Sequence, residues 1–288
     1  MTSVKISFDK VRKEFVTRGE GGRPAGRFTA LEDITFDVRA GEFLALVGPS
    51  GCGKSTLLDL LGGLARPTSG RILLDGRPIV GPGRDRGVVF QQYALFPWRT
   101  AAQNVEFGLD IAGLKPKQRG EIARHFLDLV GLSGFADRYP HELSGGMKQR
   151  VAIARSLAYD PEVLLMDEPF AALDAQTRET LQGELLRIWR ATGKTIIFIT
   201  HGIDEAVVLG QRVAVMTSRP GRIKQIVDIP AALRSEAEDV RSLSEFGRVR
   251  HEIWSLLREE VQKAQQGQSA GRVSAGRADR EVKEVAHV

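Results

Sequence analysis

One octapeptide limits what this chain can fold into more than any other stretch: Gly48-Pro49-Ser50-Gly51-Cys52-Gly53-Lys54-Ser55. It fits the pattern G-x-x-x-x-G-K-[ST]. The apolar run 43–47 before it reads as a buried strand. Residues 56–61 after it read as a helix, with Leu57, Leu58, Leu61 and Leu64 turned toward a core. Strand, glycine loop and helix is the setting in which this pattern holds polyphosphate. Glycines let the backbone curl so that successive N–H groups point at phosphate oxygens, and the helix N-terminus adds partial positive charge. Lys54 supplies a full charge for the β- and γ-phosphates, and the Ser55 hydroxyl is suited to ligate Mg²⁺. The chain is therefore expected to bind a nucleoside triphosphate. Cys52 occupies an unconstrained position of the loop, and its side chain is assigned no chemistry.

Composition narrows the rest. A chain of 288 residues with 42% hydrophobic content can bury a sizeable core in one large domain or two smaller ones. One cysteine allows no internal disulfide, which suits a reducing compartment. Residues 1–10 show no apolar signal region, and no run approaches the length of a membrane helix. The expectation is a soluble chain that docks on a membrane protein. A net charge of +5 is mild for this length, and no nucleic-acid partner is expected.

Residues 4–16 and 34–47 read as β-rich, separated by a loop at 18–26 dense in glycine and charge. Phe15 precedes that loop and Phe28 follows it. Either is a candidate to stack on a nucleobase, with Phe15 carried as the site residue; core packing is the alternative for each. Asp75-Gly76 marks a hairpin, and 87–90 reads as a strand ending at Gln91. From about 93 to 160 the periodicity turns helical, as an insertion between strands. Within it Leu143-Ser144-Gly145-Gly146 precedes a helix expected over 147–159. Residues 163–166 then read as a buried strand that presents Asp167 and Glu168 at its C-terminal edge, where open α/β sheets hold ligands. A helix over about 177–191, a strand over 195–200 ending at His201, and a strand over 213–216 come next. Residues 237–263 carry a helical apolar stripe, and 265–288 have the composition of a disordered tail.

Taken in order, the phosphate loop, Gln91, Leu143-Ser144-Gly145-Gly146, Met166-Asp167-Glu168-Pro169 and His201 resemble the ATP-binding subunits of ABC transporters. The resemblance implies an α/β fold: a P-loop NTPase core of RecA-like type with an antiparallel β subdomain and a helical insertion subdomain. The domain would span 1–235, with a helical extension at 236–264. It also implies roles. Residues 48–55 hold ATP, with the Ser50 and Thr56 hydroxyls in reach. Ser55 and Asp167 serve Mg²⁺, and Gln91 resembles the glutamine that senses metal and water. Glu168 is the expected general base, and His201 resembles the residue that meets the γ-phosphate. Ser144, Gly145 and Gly146 would meet the ATP held by a second copy in a head-to-tail homodimer, and Asp174 resembles the aspartate that communicates across the same interface.

Residues 81–91, 95–99 and 218–223 resemble importers of the nitrate, sulfonate and taurine group. The resemblance then implies integral membrane permease subunits as partners, and indirectly a periplasmic or extracellular solute-binding protein. It implies a peripheral place on the cytoplasmic face of the inner membrane, with Tyr93, Phe96 and Trp98 as candidate permease contacts. An exporter or lipid-trafficking ATPase is the alternative. Two positions depart from the family pattern: Gly202 stands where aspartate is usual, and Met147 where glutamine is commoner. The interval between Gly53 and Met147 leaves no room for the long coiled coil of chromosome-type ATPases, and one phosphate loop does not suit a tandem translation factor.

Overall fold

Short β-branched runs alternating with amphipathic stretches require a parallel sheet with crossover helices. The computed structural model, which describes residues 3–17, 26–234 and 240–285, has that arrangement. In chain order the elements are β1 (Val4–Thr17), β2 (Gly26–Arg39), β3 (Phe43–Val47), α1 (Lys54–Leu61), β4 (Ser69–Leu74), β5 (Arg77–Pro78) and β6 (Arg86–Val89). Next are α2 (Ala101–Ile111), α3 (Pro116–Leu129), α4 (Gly145–Ala158), β7 (Val163–Asp167), α5 (Ala175–Thr192), β8 (Thr195–Ile199), α6 (Ile203–Leu209), β9 (Arg212–Met216), β10 (Ile223–Asp228) and α7 (Ser244–Val285).

Two sheets result. β2, β1, β4 and β5 form an antiparallel sheet, in that order. The second sheet runs β10-β9-β3-β8-β7-β6, parallel throughout except for β10 at its edge. All five residues of β3 and of β8 are buried, as a strand covered on both faces must be. Side chains alternate between the faces of this sheet. Leu44, Leu46, Leu165 and Ile197 pack with α1 and with Ile6, Phe8 and Ile34 of the antiparallel sheet. Phe43, Leu164, Met166 and Phe198 pack against α2, α4 and α5. Ala45, Val213 and Val215 pack with α6 and with Phe246, Val249 and Ile253 of α7. The helical insertion is α2, α3 and α4, joined to the sheet by one continuous core.

Several expectations need correcting. Leu64 does not face the core: it is 57% exposed. α1 stops at Leu61, and Gly63 at φ +72 turns the chain away before Leu64. β2 starts at Gly26, eight residues before the β segment read from the pattern, so Phe28 lies on a strand. α4 starts at Gly145, two residues early, because Ser144 caps it. α7 runs on to Val285. The chain contains no proline after Pro230, so nothing in the backbone interrupts the ladder of hydrogen bonds. The loop at 18–25 and the domain boundary at 235 lie outside the described residues. Among the described residues no helix is long and apolar enough to cross a membrane.

Ile253 is fully buried and seats α7 on the parallel sheet. Ile253→Ala should cost about 2–5 kcal/mol of stability, read as a lower midpoint in denaturant unfolding with an unchanged slope. A loss under about 0.5 kcal/mol, the range of surface substitutions, would mean that α7 contributes little to the core.

Candidate functional site

The site is assembled from strand ends. β3 runs into the phosphate loop, whose tight path needs glycine at two points: Gly51 at φ +73 and Gly53 at φ +104. Gly53 also touches β2, since a Cβ there would stand 2.7 Å from Leu31 Cδ2. Lys54 opens α1 and is only 8% exposed. Its Nζ donates to the Gly48 and Pro49 carbonyls at 2.8 and 3.2 Å, which holds the ammonium inside the curl of the loop. Cys52 is buried, and burial pushes its thiol up, so it is an inert packing residue.

β7 delivers the two acids. Asp167 closes the strand and is half-buried. Burial raises its carboxyl, a hydrogen bond from the Ser55 side chain lowers it, and the Glu168 charge adds to the rise. Ser55 and Asp167 are thus side by side. A hydroxyl and one carboxylate, with phosphate oxygens completing the shell, is the donor set that suits Mg²⁺. Among the described residues no cluster of three or more His, Cys, Asp or Glu could bind a metal by itself. Glu168 takes a positive φ of 44, unusual for a residue with a side chain. Its N–H donates to Ile199 O at 2.9 Å, across from β8. That bond fixes the kink and turns the side chain out of the sheet.

β8 delivers His201, whose Nδ1 lies 3.2 Å from Glu168 Oε2. His201 is exposed and Glu168 half-buried. Gly202, the departure from the family pattern, leaves the histidine supported another way. Its N–H donates to Thr200 Oγ1 at 2.9 Å, and that hydroxyl is hydrogen-bonded to Glu205. Glu205 is held in turn by Gln182 at 3.0 Å. The start of α6 is therefore pinned without an aspartate at 202.

Two cavities meet at Glu168. One, of about 270 Å³, is lined by Phe28, Ser50, Gly51, Lys54, Ser55, Thr56, Glu168 and Arg219, among others. The other, a larger cleft, is lined by Glu168, His201, Asp204 and Arg250, among others. The carboxylate is the shared wall. Phe15, Gln91, Ser144, Gly145 and Gly146 line neither cavity. Phe15 stacks on Phe28, with ring centroids 5.4 Å apart, so the two aromatics form one exposed platform next to the phosphate loop. Gln91 comes after β6 as an exposed residue.

Ser144 caps α4, its Oγ accepting from Met147 N at 3.3 Å. A Cβ on Gly146 would stand 2.6 Å from Thr177 Cγ2, so the start of α4 lies directly on the start of α5. Asp174 caps α5 by accepting from Thr177 N at 2.9 Å, and that bond holds its carboxyl below the usual range. The two helix starts thus form one ledge on which Ser144 and Asp174 are exposed and Gly146 is buried, and Ser144–Gly146 line neither cavity.

Trp98 is 70% exposed. Buried Asn104 shapes the turn that presents it, donating to the carbonyls of Phe96, Arg99 and Thr100 and accepting from Phe96 N. Phe96 packs on Phe107 at 4.5 Å, which anchors the base of the turn. Tyr93 is half-buried against the core of the helical insertion.

Two contributors carry no sequence signal of their own. Thr200 with Glu205 belongs to no motif read above, although the bond is local, joining the residue after β8 to α6. Arg219 reads in the sequence only as part of a turn. A guanidinium before a Pro-Gly turn is the available sign, and it does not say which element the turn will touch.

With this geometry in view, comparison with known proteins is direct. Residues 31–171 match the family model described as ABC transporter. An ABC transporter ATP-binding protein of Methanocaldococcus jannaschii, itself uncharacterized, is 53% identical over 91% of this chain and 94% of its own. The nitrate import ATP-binding protein NrtD of Synechocystis is 51% identical, covering 81% of this chain and 90% of that protein. The taurine import ATP-binding protein TauB of Roseobacter denitrificans is 49% identical, covering 79% and 86%. A solved dimeric ATP-binding cassette in a post-hydrolysis state with ADP and Pi superposes with a TM-score of 0.68 at 33% identity, over 78% of this chain and 99% of that one.

Removing the Lys54 ammonium should weaken nucleotide binding more than any other single change in the loop. Lys54→Ala is expected to raise the Kd for a fluorescent ATP analogue by about tenfold or more, the scale of a lost charge-assisted contact. Unchanged affinity would remove the loop from the site.

Proposed function

We propose that this chain, which belongs to the ATP-binding proteins of the ABC transporter family, hydrolyses ATP to drive import of a small anionic solute. The solute is of the nitrate, sulfonate or taurine class, and it passes through separate membrane permease subunits. The observation that carries the chemistry is the position of Glu168, shared between the phosphate-loop cavity and the cleft of His201, with its carboxylate 3.2 Å from the imidazole. The import class is supported by the nitrate and taurine import proteins at about half identity.

The phosphate-loop amides and Lys54 hold the triphosphate, and Ser50 and Thr56 add hydroxyl donors at the mouth of the cavity. Ser55 and Asp167 would hold Mg²⁺. When bound, the metal neutralises charge that develops on the phosphoryl oxygens. Glu168 orients a water toward the γ-phosphorus and accepts its proton as the new P–O bond forms. The bond from the γ-phosphorus to the bridging oxygen breaks, leaving ADP and Pi. His201 donates to a γ-phosphate oxygen while its other ring nitrogen rests on Glu168. Gln91, exposed at the end of β6, is placed in the role of metal and water sensor by its position in the motif series.

Ser144, Gly145 and Gly146 lie at a helix start, where the first N–H groups have no partner within the helix. We assign their partner as the nucleotide on a second copy, in a head-to-tail homodimer, with Asp174 on the same ledge. Support for the pairing is the dimeric cassette to which this chain is similar. ATP then joins the copies and hydrolysis releases them, so the nucleotide sets a two-state equilibrium. Trp98, held outward by the Asn104 turn, is assigned to a permease subunit, and a peripheral position at the cytoplasmic face of the membrane is part of the same reading.

Glu168→Gln keeps the shape of the side chain and removes the base. Turnover should fall by about 10²- to 10⁴-fold while ATP binding persists, and size-exclusion chromatography with ATP should show a dimer. Hydrolysis near the normal rate in that variant would overturn the assignment. Trp98→Ala should leave ATPase activity of the isolated chain intact and weaken co-purification with the permease. Full assembly would return Trp98 to an ordinary surface residue.

A further inference from the structure

The turn between β9 and β10, residues 217–222, is wedged between β2 and the phosphate loop. Gly221 N donates to Ala30 O and Gly221 O accepts from Glu32 N, both at 2.9 Å. On its other side, a Cβ at Gly221 would overlap the Cys52 carbonyl oxygen, so only glycine allows this approach. The turn is braced internally by Thr217, whose Oγ1 donates to Pro220 O and accepts from Arg222 N, each at 2.9 Å. Arg222 bonds Glu32 at 2.6 Å.

This bracing delivers Arg219 to the nucleotide cavity. Its Nε donates to Gly51 O at 2.7 Å, and its Cζ lies 5.5 Å from the centroid of the Phe28 ring. It lines the same cavity as Lys54, Ser55 and Thr56. Among the described residues no carboxylate lies within ion-pair distance of it. Like Lys54, it is a cation that donates to carbonyl oxygens of the phosphate loop and has no carboxylate partner there, and such a charge is complementary to a polyphosphate.

Behind Arg219 the turn is tied to α7. Ser218 N and Oγ both donate to Glu260 Oε2, at 3.0 and 3.3 Å. Glu260 is 2% exposed, and its Oε1 also takes Lys224 Nζ at 3.0 Å and Lys263 Nζ at 2.9 Å. Burial would push this carboxyl up, but the bonds from Lys263, Ser218 and Lys224 outweigh it and hold it at about 2. Glu260 is therefore an ionised anchor throughout the working pH range, and it grips the residue just before the guanidinium.

We infer that Arg219 is a further nucleotide-binding residue, supplying a second cation between the Phe28 platform and the phosphate loop, and that Glu260 of α7 is the residue that positions it through Ser218. The inference rests on the ATP-site reading of the proposed function and adds a role for the C-terminal helix in it.

Binding of a fluorescent ATP analogue and steady-state ATPase kinetics on the full-length chain test this. Arg219→Ala should raise the Kd and KM for ATP by about fivefold to tenfold, as for one charge-assisted contact. The loss should fall much more on KM than on kcat. Arg219→Lys should restore part of the affinity, because it keeps the charge and loses the planar fork. Glu260→Gln should raise Kd by a smaller factor, and it should add nothing in the Arg219→Ala background, because the two act on one contact. Thermal unfolding without nucleotide checks that each variant is folded; if Glu260→Gln is not, the Arg219 pair decides the matter alone. Wild-type affinity in Arg219→Ala would overturn the inference, as would an equal Glu260→Gln penalty with and without Arg219. Those results leave wild-type ATP binding in place. Absence of ATP binding in the wild type would instead overturn the site reading itself.

Discussion

The hydrogen-bonded register of three adjacent parallel strands, β3, β8 and β7, governs everything else in this molecule. Leu46 stands opposite Ile199, and Ile199 opposite Asp167, so the three strands end at one level. Just past that level Thr200 N donates to Leu46 O and Glu168 N to Ile199 O. Those bonds tie the phosphate loop, the acids and the histidine into one row. A slip of one residue in any strand would send its buried side chains to the other face of the sheet. The two faces pack against different elements, so such a slip would break the close packing on both. Stability of the sheet and geometry of the site are thus one constraint.

The same economy explains why the site is divided. A strand edge can line up a loop, two acids and a histidine, but it cannot also offer a second helix start facing the first. Ser144–Gly146 sits on the helical insertion, packed against the start of α5 through Gly146 and Thr177. The closeness of that contact makes the ledge rigid and commits it to face outward. These helix starts line neither of the chain's own two cavities at Glu168.

α7 touches both ends of this row. Arg250 bonds Asp204 at 2.5 Å, one turn from His201, and Glu260 holds the turn that carries Arg219. Its apolar stripe, Phe246, Val249 and Ile253, accounts for its place on the sheet. The polar residues bordering that stripe account for its reach into the site. A helix that looks like an appendage in the chain order is thus bonded both to α6 and to the turn that carries Arg219.

The octapeptide 48–55, the run ending in Asp167-Glu168 and the strand ending in His201 were legible because each is a local unit. Apolar runs too short for helices must be buried strands, and the residues just past their C-terminal ends must lie at the sheet edge. The order of these motifs carried the family resemblance, and the resemblance implied the fold class. Contacts between separate segments were not legible: Gly221 against Cys52, Ser218 on Glu260, and Phe28 brought onto Phe15 by the β1–β2 pairing. The start of α4 at Gly145 and the exposure of Leu64 likewise depended on a cap and a glycine turn that override periodicity. Residue order alone thus dictates which chemistry-bearing side chains end which strands, because burial and hydrogen bonding in a parallel sheet leave few alternatives. Which polar turn presses on the phosphate loop is settled in three dimensions. It depends on close backbone approaches between segments some 170 residues apart, as from Gly51 to Arg219, and no local pattern encodes those.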